Sequence, residues 1–65
     1  MNKMIALGRV AKRMEMNEEG TMVRFVVFLP NVSAFQILLE QLGIAEQFAK
    51  EGNFYHFFVP AAELA

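Results

Sequence analysis

The chain has no cysteine and a single histidine, His56, among its 65 residues. Disulfides and thiolate metal sites are thereby excluded, and so is a histidine-rich metal centre. Aspartate is missing too, and there is one serine, Ser33. Catalysis needs a nucleophile, a base or a metal in convergent geometry, and this composition supplies few of those parts. Ser33 reads as a helix cap, His56 lies inside an aromatic segment, and Glu18 and Glu19 fall in a turn. No glycine-rich loop of the phosphate-cradling kind is present. The expectation is a protein that is not an enzyme and uses neither cofactor nor metal.

An excess of charge of either sign is also absent. Six Lys and Arg face seven acidic residues, for a formal net charge of −1. That argues against a strongly basic nucleic-acid binder and against an acidic mimic of one, while leaving room for a locally basic face. No apolar run approaches the roughly 18 residues of a membrane span. The apolar stretch after Lys3 stops at Arg9, short of a signal-peptide pattern. A cytoplasmic location with no membrane contact is expected.

What the sequence has in quantity is apolar side chains, 55% of the total, against roughly 45–50% in ordinary domains. A single domain of this length buries only about 60% of the surface its unfolded chain exposes. Ordering the backbone costs about 1–2 kcal/mol per residue, so the margin is thin. Without disulfides or metals, self-association is the remaining device, and a homo-oligomer, with a dimer favoured, is expected.

Turn signals divide the chain. Asn17-Glu18-Glu19-Gly20 and Glu51-Gly52-Asn53 read as turns, and Pro30 and Pro60 end apolar runs. Residues 3–16 read as one long strand, bent at Gly8, and Thr21–Leu29 as a second. Ser33 and Gln36 fit a capping box that starts a helix running to about Lys50. Asn53–Val59 is a third strand. The order is β-β-α-β, an α+β domain with a small curled antiparallel sheet and one helix, completed by oligomerisation. Within the helix, Phe35, Leu38, Leu39, Leu42, Ala45 and Ala49 form one apolar stripe, and Ile37, Ile44 and Phe48 form another on the opposite side. Either both faces are covered, the second by another chain, or Gly43 breaks the helix and re-aims Ile44 and Phe48.

A turn at 17–20 would set Met16 opposite Thr21, Met14 opposite Val23 and Lys12 opposite Phe25. Alternation then separates a core face (Val10, Met14, Met16, Val23, Phe25, Val27 and Leu29, with Lys12 discordant) from a second face. That second face gathers the arginines, Arg9, Arg13 and Arg24, with Phe28 among them, and sets Arg13 directly against Arg24. Like charges so placed repel, and either Glu15 or a phosphate backbone would offset them. Arginines with an interleaved aromatic are the chemistry of single-stranded nucleic-acid binding: the charges track phosphates and the rings stack bases. Arg9, Arg13 and Arg24 are the expected phosphate contacts, and Phe28 and Tyr55 the expected stacking rings.

Gly8-Arg9-Val10 after an apolar run, then Lys12, Glu15, Gly20-Thr21, Val23, Phe25 and Val27, resemble the first hairpin of the bacterial single-stranded-DNA-binding proteins, whose domain is an OB-fold. Ala45-Glu46-Gln47-Phe48-Ala49-Lys50-Glu51-Gly52 is similar to that family's helix and subsequent turn. The likeness lies mainly in residues 1–28 and 45–52. Pro30 leads directly to the helix, with no counterpart of the family's third strand and its Trp. The resemblance thus implies a minimised, truncated OB-like domain of phage or mobile-element type, with single-stranded DNA as its partner. The alternative is an oligomeric protein-interaction module, a regulator or inhibitor of a protein partner. Phe54, Phe57 and Phe58, on both sides of one strand, would join Ile37, Ile44 and Phe48 in an oligomer interface.

Overall fold

The computed structural model describes residues 2–65. Asn2 opens the first element. Its side-chain Oδ1 accepts the backbone N–H of Ile5 at 3.1 Å, the bond an N-cap residue supplies, and helix α1 runs over Lys3–Val10. Met4, Leu7, Val10 and Ala11 recur at helical spacing and turn one stripe inward, with Leu7 fully buried. The long strand expected over residues 3–16 is therefore a capped helix succeeded by a short strand, β1, over Arg13–Met16. The same residues alternate loosely at period 2. The cap and the inward stripe decide between the two periods.

Gly8 accordingly lies in a helix and not at a strand bend. A Cβ built there meets no heavy atom within 4 Å. Glycine in a helix interior costs about 0.8–1 kcal/mol relative to alanine, so Gly8→Ala should stabilise the protein by up to that amount. A domain of this size converts each kcal/mol into roughly 4–8 °C of Tm. Thermal denaturation monitored by circular dichroism measures it; a lowered Tm would count against α1.

Strand β2, Met22–Phe28, pairs antiparallel with β1, and Met16 lies opposite Val23 and Met14 opposite Phe25. This register is displaced by two residues from the one expected. The cause is Asn17, whose Oδ1 accepts the N–H groups of Thr21 at 2.9 Å and Met22 at 3.1 Å, while its Nδ2 donates to Thr21 Oγ1 at 2.9 Å. The turn is thereby longer than residues 17–20. An even displacement keeps the paired residues of β1 and β2 on the sides of the sheet expected of them, although Met14 and Met16, expected in the core, are exposed.

Pro30, with its fixed φ, lies in a 3₁₀ turn over Leu29–Asn31 that runs directly into helix α2, Val32–Leu42. Ser33 therefore sits inside the helix and not at its cap, and Asn31, in the cap position, makes no side-chain capping bond. Gly43 ends α2 at φ 72°, a left-handed conformation that glycine adopts without a Cβ penalty. Its N–H donates to the Glu40 carbonyl at 3.1 Å, and Ile44 N–H to the Leu39 carbonyl at 2.9 Å, a Schellman closure with Ile44 and Leu39 both buried. The helix expected to reach Lys50 thus stops at Leu42. Beyond it the chain forms strand β3, Phe48–Glu51, joined through Gly52-Asn53 to strand β4, Phe54–Pro60. Gly52 has φ 60°, as a two-residue hairpin turn requires.

The order is α-β-β-α-β-β, in place of β-β-α-β, and the α+β class holds. All pairings are antiparallel in a four-stranded sheet of order β1-β2-β4-β3. The sheet is open, with β1 and β3 as its edges. Leu7 from α1 and Val32, Phe35 and Leu39 from α2 pack with Val23, Phe25, Val27, Phe57 and Val59. The Phe35 ring stands 5.5 Å from Phe25 and 4.7 Å from Phe57, centroid to centroid. Both helices therefore cover the same side of the sheet.

Candidate nucleic-acid interface

Strand alternation assigns the other side. On β2 it carries Met22, Arg24, Val26 and Phe28, and on β4 Phe54, His56, Phe58 and Pro60, with Arg24 opposite Phe58, Val26 opposite His56 and Phe28 opposite Phe54. β1 adds Arg13 and Glu15, and β3 adds Ala49 and Glu51. Antiparallel sheets commonly leave one face to solvent, and such a face is ordinarily polar. This one holds three phenylalanines. Phe28 is 43% exposed, and its ring stands 5.5 Å from that of Phe54 at 44°.

Three shallow clefts run along the face. One, of about 400 Å³, lies between the end of α1 and the Phe28–Phe54 pair and is lined by Arg9, Val10, Ala11, Lys12 and Asn31 besides the two rings. The next shares Lys12 and Phe54 with it and adds Arg13, Val26, Glu51 and His56. The third is formed by Glu15, Met16, Asn17, Met22, Arg24 and Phe58.

Charge is unevenly available along this path. Arg13 and Arg24 do not face each other directly: Glu15 is opposite Arg24, and Val26 opposite Arg13. Glu15 Oε1 accepts from Arg13 Nε at 3.3 Å and from Arg24 Nη2 at 3.0 Å. The carboxylate thus offsets the repulsion that the sequence poses. The hydrogen bond from Arg13, joined by the positive charge of Arg24 and opposed by partial desolvation, holds the Glu15 carboxyl below its ordinary value of 4.5. His56 Nε2 lies 3.9 Å from Glu51 Oε1. Arg9 and Lys12, by contrast, form no ion pair among the described residues. Lys12 Nζ sits 5.2 Å from the centroid of the Phe54 ring. An exposed contact of that kind is worth about 0.5–1 kcal/mol, less than the roughly 1–3 kcal/mol of a stacked base, so it leaves the ring open to a stronger ligand.

The expected phosphate and stacking residues are therefore brought together in part. Arg13, Arg24 and Phe28 share the open face. Arg9 reaches its rim from the last turn of α1, not from a strand. Tyr55 lies on the helix side, half-buried against the core, with its ring 5.1 Å from Phe48 and 6.0 Å from Phe57. It stands one residue out of phase with the open face, and Phe54 occupies the place expected of it. Lys12, Asn31 and Phe58 join the face although the sequence pattern does not single them out for it. The signal for Phe54 and Phe58 is the parity of β4, readable once Phe28 is set opposite Phe54.

The expected oligomer interface divides as well. Phe57, at 0% exposure, and Ile44, at 5%, belong to the chain's own core. Termination of α2 at Gly43 turns Ile44 inward and carries Phe48 onto edge strand β3. Phe54 and Phe58 lie on the open face. Ile37 and Phe48 remain exposed, at 56% and 47%. Among the described residues no helix is long and apolar enough to cross a membrane, and no cluster of three metal-ligating side chains occurs. Comparison with protein families, with curated proteins and with solved structures returns no match.

Proposed function

We propose that this chain binds single-stranded nucleic acid, without catalysis, across the face of the sheet opposite its helices. The observation that supports the reading best is the composition of that face: Phe28, Phe54 and Phe58 stand among Arg9, Lys12, Arg13 and Arg24. Rings offer π surfaces to bases of any sequence, and the cations track phosphates. The ligand class is the one implied by the likeness to bacterial single-stranded-DNA-binding proteins, carried here on an open sheet. A short labelled oligonucleotide should bind at low salt. Affinity should fall linearly on logarithmic axes as salt rises, with a slope near −0.7 for each phosphate contacted. Three or four contacts give a slope of about −2 to −3. No binding at 20 mM or so of salt, or binding indifferent to salt, removes the reading.

A second reading is favoured by the apolar side chains exposed elsewhere. Met14 and Met16 on β1, Phe48 on β3 and Ile37 on α2 are all exposed, and both edge strands present unpaired backbone. A second copy, or a protein partner, would cover them. Light scattering with and without the oligonucleotide separates a dimer that forms alone from one that needs ligand.

A further inference from the structure

We infer that the cleft between the last turn of α1 and the Phe28–Phe54 pair is a nucleotide site in its own right, holding one nucleoside 5′-monophosphate unit with its base on the rings and its phosphate on Arg9 and Lys12. The inference deepens the single-strand reading by naming where along the face a nucleotide is held most fully.

The volume of about 400 Å³ falls in the range of roughly 300–1,000 Å³ found for small-ligand sites. Its apolar wall is a ring pair, and Phe28 there is among the exposed large apolar residues of the chain. Its charge is uncompensated, because Arg9 and Lys12 have no carboxylate partner among the described residues, whereas Arg13 and Arg24 share Glu15. A phosphate entering the face therefore gains most here, where no internal anion must first be displaced. Asn31 completes the cleft. Its side chain makes no capping bond to α2, so its amide keeps a donor and an acceptor for a base edge, the pair that matches adenine. Lys12 Nζ rests over Phe54. A base stacking on that ring displaces the ammonium, and the same displacement frees it for the phosphate.

The test is an NMR titration of the ¹⁵N-labelled protein with adenosine 5′-monophosphate, adenosine and ribose 5-phosphate, beside a titration with a single-stranded oligonucleotide. The monophosphate should move the signals of Arg9, Lys12, Phe28, Asn31 and Phe54 to saturation and leave those of Arg24 and Phe58 in place. Adenosine and ribose 5-phosphate, each lacking one half of the ligand, should bind at least about tenfold more weakly. Arg9→Ala combined with Lys12→Ala should weaken the monophosphate by at least about tenfold while the core methyl signals stay unchanged. Shifts spread equally over Arg24 and Phe58, or no saturable shift, overturn the inference. If the oligonucleotide still binds in that case, the single-strand reading survives the loss. Saturable monophosphate shifts with no oligonucleotide binding would instead support the cleft and end the single-strand reading.

Discussion

Replacing Phe54 with leucine should cut affinity for a single strand by about fivefold or more and leave the protein folded, whereas replacing Phe57 with alanine should strip it of much of its stability. The two residues are three apart on β4 and point to opposite sides of the sheet. Phe57 is fully buried between the helices and the strands, with the rings of Phe35 and Phe48 at 4.7 and 5.5 Å. Truncating such a ring costs about 3–5 kcal/mol. A 65-residue domain at about 0.05–0.15 kcal/mol per residue has only roughly 3–10 kcal/mol in total, so Phe57→Ala removes between about a third of the stability and all of it. Phe54→Leu keeps an apolar side chain beside Phe28 and removes only the flat ring. The stacking lost is worth about 1–3 kcal/mol, and 1.4 kcal/mol is tenfold in Kd. Oligonucleotide binding by fluorescence anisotropy and urea denaturation, run on both variants, check the contrast. Unchanged affinity of a folded Phe54→Leu protein would move base stacking away from this face.

The same alternation explains how far the sequence can be read. The α+β class, the second strand, the start of the helical segment near residue 32 and the last strand are legible because their residue types and the turn signals around them agree. TMVRFVVFL and NFYHFFV are short runs rich in β-branched and aromatic residues, and Phe35, Leu38, Leu39 and Leu42 keep to a helical stripe. Residues 3–10 are not, because Met4, Leu7 and Val10 support a helix while the run into Arg13–Met16 supports a strand, and the deciding bond comes from Asn2. β3 is hidden because Leu42-Gly43-Ile44 continues an apolar pattern across a helix end, and only the left-handed Gly43 stops it. The hairpin register differs by two residues through the side chain of Asn17, yet the face assigned to Arg13, Arg24 and Phe28 stands, since faces depend only on parity. Parity alone would put Lys12 among core residues. It escapes because it precedes the regular part of β1 and reaches over Phe54.

Glu15→Gln should raise affinity for a single strand and steepen its salt dependence, although it slightly lowers stability. Glu15 holds both Arg13 and Arg24 in the free protein, so a phosphate that uses either guanidinium must compete with a carboxylate already there. The glutamine side chain keeps the shape and removes the charge. If both arginines then engage phosphates, the salt slope grows by up to about 1.4, two contacts at roughly 0.7 each. The pairs are solvent-exposed, with side chains 42–56% accessible, so their loss costs little stability. What loss there is comes from diagonal repulsion between Arg13 and Arg24 across β1 and β2. Higher affinity with lower stability cannot arise from partial unfolding. pH supplies the control. A carboxyl whose folded pKa is depressed stabilises the fold above its unfolded pKa, and that contribution is lost as pH falls through the folded value. Because the Glu15 carboxyl is held below 4.5, chiefly by the hydrogen bond from Arg13, the wild type keeps its internal anion to lower pH than that ordinary value alone would allow. As that carboxyl protonates, the affinity of the wild type should climb toward that of Glu15→Gln. Anisotropy titrations of both proteins from pH 7 down to the edge of stability track the convergence, and parallel curves would show that Arg13 and Arg24 take no part in binding.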